Sequence, residues 1–195
     1  MAQRIVLATR NRGKIDELRR ILGESYELTG LPDAAPDVAE TGTSFEDNAL
    51  LKARSAAEHT GLISVADDSG LTVDALNGMP GILSARWSGR HGNDEANLAL
   101  VLGQVSEIPD ERRGAAFVCA AAVVTPDGRE RVVVADVRGH LIRGPRGSNG
   151  FGYDPIFVPD GETRTTAEMP SEEKDAISHR GKAFRALAEL LPEFL

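Results

Sequence analysis

A chain of 195 residues and 20.8 kDa can bury one ordinary hydrophobic core. Hydrophobic residues at 41% and charged residues at 27% exclude disorder, collagen and simple coiled coil. A net charge of −8 argues against a protein that coats nucleic acid, because that binding comes from Lys and Arg neutralising phosphates, and the single Cys119 excludes an internal disulfide or a multi-cysteine metal site.

No apolar run reaches transmembrane length, and charge arrives early in MAQRIVLATRNRGK, so a cytoplasmic protein without membrane contact is expected. Arg4 to Thr9 is a short apolar strand, followed by a polar loop and then by Ile15, Leu18, Ile21 and Leu22 at helical spacing up to Gly23. Leu31 to Gly42 reads as a loop. Ser44-Phe-Glu-Asp resembles a capping box that opens a helix through Thr60, on which Ser44, Asn48 and Lys52 fall four apart and share a face. Leu62 to Ala66 is a buried-type strand ending at Asp67-Asp68, where α/β proteins hold ligands, and Leu71 to Leu76 is a further apolar stretch. Asn93 to Val105 predicts a helix, Ala115 to Val124 and Arg131 to Val137 a hairpin turned by Pro126-Asp-Gly-Arg, and Ser178 to Leu191 a closing amphipathic helix. Between hairpin and helix the glycines at 144, 147, 150 and 152 interrupt regular structure before Pro155-Ile-Phe. The length predicts a single domain over residues 1–195.

Four constellations could carry chemistry. Thr9-Arg-Asn-Arg-Gly-Lys14 sets a hydroxyl, an amide and an ammonium group at a helix start, where unpaired N–H groups favour an anion; a capped helix with a solvated lysine is the alternative. Asp67 and Asp68 repel each other and call for a cation or basic partner, such as Mg²⁺ bound together with phosphates; a simple turn would explain them equally well. Glu40 could add a metal ligand from its loop. In Gly147-Ser-Asn-Gly-Phe-Gly-Tyr-Asp-Pro155, Phe151 between two glycines is either a stacking surface for a planar base or the anchor of a turn. Lys174 with Ser178-His179-Arg180 makes a basic cluster near a helix start. Cys119 reads as a core residue, and His59, His91 and His140 have no metal-ligand spacing.

Taken in order, these segments resemble the non-canonical purine nucleoside triphosphate pyrophosphatases, the Ham1-like inosine/xanthosine triphosphatases. The match runs through Thr9-x-Asn11-x-x-Lys14, Ser44-Phe-x-x-Asn48-Ala-x-x-Lys52-Ala and Asp67-Asp68-Ser69-Gly70, then Pro80-Gly81-x-x-Ser84-Ala-Arg86, Gly150-Phe-Gly-Tyr-Asp-Pro-x-Phe157 and Lys174-x-x-x-Ser178-His179-Arg180. The resemblance implies an α/β fold with a long mixed central sheet and flanking helices, two lobes around a cleft, and a homodimer. It also implies Mg²⁺-dependent hydrolysis of ITP, dITP and XTP to the monophosphate and pyrophosphate. Carried over, Thr9, Arg10, Asn11, Arg12, Gly13 and Lys14 hold the triphosphate with Lys52, Glu40 and Asp68 bind Mg²⁺, and Asp68 is the general base. Ser69 and Lys174 contact substrate, Phe151, Gly152, Tyr153 and Asp154 line the base pocket, and His179 and Arg180 read the purine edge. Trp87 stands where the family pattern leads one to expect a tyrosine, and His91-Gly92 replaces a more acidic stretch. A nucleotide-sensing module, or a phosphatase releasing orthophosphate, are the competing readings.

Overall fold

The structure is a computed structural model that describes residues 3–10, 12–22 and 26–195, without the side chains at 3, 12, 13 and 17. Six strands form one sheet in the order β2-β1-β3-β4-β5-β6: β1 Gln3–Leu7, β2 Tyr26–Gly30, β3 Ile63–Val73, β4 Gly114–Val124, β5 Glu130–Leu141 and β6 Phe157–Pro159. Strand β1 runs parallel to β2 and β3, with Ile5 opposite Leu28 and Ile63, whereas β5 and β6 are antiparallel. The sheet is therefore mixed. Among the described residues five α-helices accompany it: α1 Arg12–Leu22, α2 Phe45–Thr60, α3 Asp94–Gln104, α4 Ser171–Ile177 and α5 His179–Leu190. Among the described residues no helix is long and apolar enough to cross a membrane.

Local chemistry explains the ends of α2. The Ser44 hydroxyl accepts from the Asp47 N–H at 3.1 Å, Glu46 and Asp47 place negative charge against the helix dipole, and the Gly61 N–H closes on Ala57 O. Its buried side is largely alanine (Ala49, Ala53, Ala56 and Ala57), which lets other elements approach closely and leaves Asn48 as a buried polar group on the helix. Asn93 caps α3 by accepting from the Ala96 N–H at 3.2 Å.

Two compact units can be distinguished along the chain. The first comprises Met1–Asp68, Cys119–Ala135 and Arg180–Leu195, and its core gathers Ile5, Leu7, Leu18, Val65, Cys119 and Phe184. The second comprises Ser69–Val118 and Asp136–His179, with Leu71, Val101, Phe117, Tyr153, Ile156 and Phe157 at its centre. Cys119 is fully buried, as a small core residue should be.

Three elements differ from expectation. Strand β3 does not stop at Ala66 but continues through Asp67-Asp68 to Val73, because partly buried ammonium groups and a buried amide satisfy carboxylates that would otherwise break it. Strand β5 extends to Leu141, where its last residues pair with β6. The closing helix is found as α5, but a short helix that was not expected, α4, precedes it and ends at Ser178, whose backbone is extended and whose N–H bonds Lys174 O.

Candidate active site

In the first unit, β3 carries Asp67 and Asp68 in succession, and extended backbone sends neighbouring side chains to opposite faces. Each carboxylate meets its own set of donors. Lys14 Nζ lies 3.2 and 3.1 Å from the two oxygens of Asp67, and Arg180 Nε is 3.2 Å from Oδ2. Burial alone would raise this carboxyl's pKa, but Lys14, Arg180 and Lys52 outweigh it and hold Asp67 far below the ordinary carboxylate range. Asp67 is thus a fixed anion.

Asp68 is arranged differently. Lys52 Nζ reaches its Oδ1 at 2.9 Å and Asn48 Nδ2 its Oδ2 at 3.3 Å, both from the face of α2 that the four-residue spacing defined. The same Lys52 ammonium lies 3.0 Å from Glu40 Oε1. Burial pushes the Asp68 carboxyl above its usual value and Glu40 adds to that, against the opposing pull of Lys52. Lys52 itself would be lowered by burial, yet Asp68, Asp67 and Glu40 together raise it, so it stays charged.

Glu40 and Asp68 therefore share one cation. No group of three or more His, Cys, Asp or Glu side chains with metal-binding geometry occurs among the described residues. Two carboxylates are nevertheless the donor set that suits Mg²⁺ when water and phosphate oxygens complete its coordination, so these residues fit that ion.

Thr9, Arg10 and Lys52 line one pocket together with Asp37 and Ser55. The Arg10 guanidinium is held by the Asp37 carboxylate and the Ala35 carbonyl, partners that a reading of the loop from 31 to 42 did not single out. Asn11 and the side chain of Arg12 lie outside the described residues, and Gly13 falls in the first turn of α1.

In the second unit the glycine loop places Phe151 about half exposed, with Lys174 Nζ 5.2 Å from the ring centroid. Asp154 organises this pair. Its Oδ2 accepts from the Phe151 N–H at 2.8 Å and from Lys174 Nζ at 2.5 Å, while its Oδ1 accepts from the Thr166 hydroxyl at 2.8 Å. Gly152 donates its N–H to Asp94 Oδ2 at 2.9 Å. Tyr153 is a core residue whose hydroxyl donates to Ser84 O at 2.7 Å, and burial pushes its pKa well up. His179 stacks on Phe117 with ring centroids 5.0 Å apart, and Ser69 is partly buried on β3. The expected residues thus fall into a carboxylate and ammonium cluster in one unit and an aromatic and ammonium loop in the other. Asn48, Asp37 and Thr166 were not among them, and of these only Asn48 had a signal, its place on the Ser44 and Lys52 face.

A mixed α/β sheet bearing two adjacent carboxylates, each matched to ammonium or guanidinium groups, defines a charged site of the kind at which α/β proteins hold ligands. The chain belongs to the Ham1 family, whose family model matches residues 5–190. It is 62% identical over 200 residues to a dITP/XTP pyrophosphatase of Frankia alni, covering 98% of both chains. A dITP/XTP pyrophosphatase of Streptomyces coelicolor is 61% identical over 198 residues, again covering 98% of each. Among solved structures, the Ham1 protein of Staphylococcus aureus superposes with a TM-score of 0.89 at 40% identity, covering 99% of this chain and 100% of that one. The nucleoside-triphosphatase / dITP/XTP pyrophosphatase of Mycobacterium abscessus superposes with a TM-score of 0.79 at 62% identity, covering 97% of this chain and 100% of that one.

Proposed function

We propose that this chain, acting as one Ham1-like domain over residues 1–195, hydrolyses non-canonical purine nucleoside triphosphates (ITP, dITP and XTP) to the monophosphate and pyrophosphate. The observation that carries the reading is the division of labour between adjacent carboxylates: Asp67 is locked by Lys14 and Arg180, whereas Asp68 is raised by burial and shares Lys52 with Glu40.

Phosphoanhydride hydrolysis needs a placed water, a base and neutralisation of the departing charge, with little covalent work by the protein. Glu40 and Asp68 would hold Mg²⁺, which when bound supplies positive charge against the phosphate oxygens. Lys14 and Lys52, with Thr9 and Arg10 of the same unit, bind the triphosphate. Asp68 is the group to accept the water's proton, since a carboxyl raised by burial is the more basic of the two. The α–β bond breaks, the water's hydroxyl ends on phosphorus, its proton ends on Asp68, and pyrophosphate leaves with the bonding pair.

The base falls to the glycine loop. The half-exposed Phe151 ring offers a stacking surface, and Lys174, held at its side, offers a donor. A 6-oxo purine presents an acceptor there and adenine a 6-amino donor, so Lys174 with His179 favours the former. The reading includes a cytoplasmic homodimer and neither nucleic acid nor membrane as partner.

Incubation with dITP and Mg²⁺, with the phosphorus products resolved by NMR, tests this. Pyrophosphate with dIMP is the expected result. Orthophosphate would make the protein a phosphatase, and binding without turnover a nucleotide sensor.

A further inference from the structure

Residues 165–169 form a strap against which the glycine loop is moulded. The Thr165 hydroxyl donates to Arg146 O at 2.8 Å, ahead of the loop, and the N–H groups of Ser148 and Asn149 both donate to Ala167 O, at 3.2 and 2.9 Å. Asn149 Nδ2 donates to Met169 O at 3.0 Å. At the far end the Thr166 hydroxyl reaches Asp154 Oδ1 at 2.8 Å. A Cβ on Gly147 would lie 2.4 Å from the Ala167 carbonyl, so the two backbones are in direct contact there.

The strap is itself held in shape. Thr165 donates its N–H to Glu168 Oε2 at 2.7 Å in a reciprocal capping box, and Thr165, Thr166, Ala167 and Met169 are all buried. A buried hydroxyl keeps its place when it has a partner, and that of Thr166 lies 3.1 Å from Asp154 O and, closer, 2.8 Å from Oδ1 of the carboxylate carrying both the Phe151 N–H and the Lys174 ammonium. None of the motifs that mark the family in this sequence includes Thr166.

We propose that Thr166 is a positioning residue for the purine end of the nucleotide. Its hydroxyl fixes the Asp154 carboxylate, and Asp154 in turn presets the Phe151 ring and the Lys174 ammonium. The inference rests on the reading that the glycine loop takes the base, and it makes affinity for the base depend on the strap while affinity for the phosphates does not.

The test is calorimetric binding of dIMP, and separately of inorganic tripolyphosphate, to the full-length wild type and to Thr166→Val, Thr166→Ser and Asn149→Ala. Thr166→Val preserves shape and removes one hydrogen bond to a charged group, so dIMP should bind about tenfold more weakly while tripolyphosphate is unaffected. Thr166→Ser should restore dIMP binding. Asn149→Ala, on an exposed side chain, should show the same selective loss in milder form and serves if the valine variant does not fold. Unchanged dIMP affinity in both Thr166→Val and Asn149→Ala, or an equal loss for both ligands, would overturn the proposal. A wild type that turns over no dITP and binds no dIMP instead refutes the functional reading on which it rests.

Discussion

Arg180 donates Nε to Asp67 Oδ2 at 3.2 Å across 113 residues of sequence, with both side chains almost wholly buried. The guanidinium therefore does for Asp67 what water cannot do at that depth. Removing one partner of such a pair leaves the other charge buried and poorly compensated, which costs about 3–5 kcal/mol.

Arg180→Ala should accordingly lower stability in denaturant unfolding by an amount in that range, moderated by the Lys14 contact that remains. It should also lower kcat/KM for dITP and dATP in parallel, since Asp67 belongs to the carboxylate cluster and not to the base. A fall confined to dITP would instead give Arg180 the purine-edge role that the family resemblance implies.

Asp68→Asn should leave the fold intact, because the amide is nearly isosteric and its oxygen can still accept from Lys52. Turnover should nearly vanish, since an amide neither takes the water's proton nor holds Mg²⁺ comparably. Steady-state kinetics and a melting curve on the same preparation separate the two effects, and near-normal turnover would remove Asp68 from the chemistry.

The α2 half of this cluster was legible in the sequence: Ser44, Asn48 and Lys52 recur every four residues, and Asn48 and Lys52 do converge on Asp68. The Asp67 half was not. Its partner Arg180 is remote in sequence, and two adjacent aspartates look like the end of a strand unless the donors that let β3 continue are known. Tyr153 resembles a pocket residue because it follows Phe151-Gly152, yet its ring belongs to the second core. Helix α4 escaped notice because Ser171 to Ile177 has no apolar stripe, and none of its residues is buried.

Gly150→Ala should damage the loop through geometry alone. The glycine has φ +74°, and a Cβ there would lie 2.0 Å from Asp154 Oδ2 and 3.0 Å from Lys174 Nζ. Relieving that clash moves Oδ2 away from both of its donors, the Phe151 N–H and the Lys174 ammonium. The variant should bind dIMP no better than one lacking the Phe151 ring, and wild-type affinity would show that the loop adapts.

Phe151→Ala separates a stacking surface from a packing anchor. The ring is 51% exposed and touches the Lys174 ammonium, so it contributes little to either core, and its removal should leave the melting temperature nearly unchanged. Base-to-aromatic stacking contributes about 1–3 kcal/mol, which should appear as weaker dIMP binding and a higher KM for dITP. Tripolyphosphate has no base to stack, so its affinity should not move. The Phe151 N–H that Asp154 accepts is backbone and survives the substitution, which keeps the loop in place and makes the loss one of ring contact alone. A large fall in melting temperature with unchanged dIMP affinity would instead make Phe151 an anchor of its turn, and the base would then have to be held elsewhere.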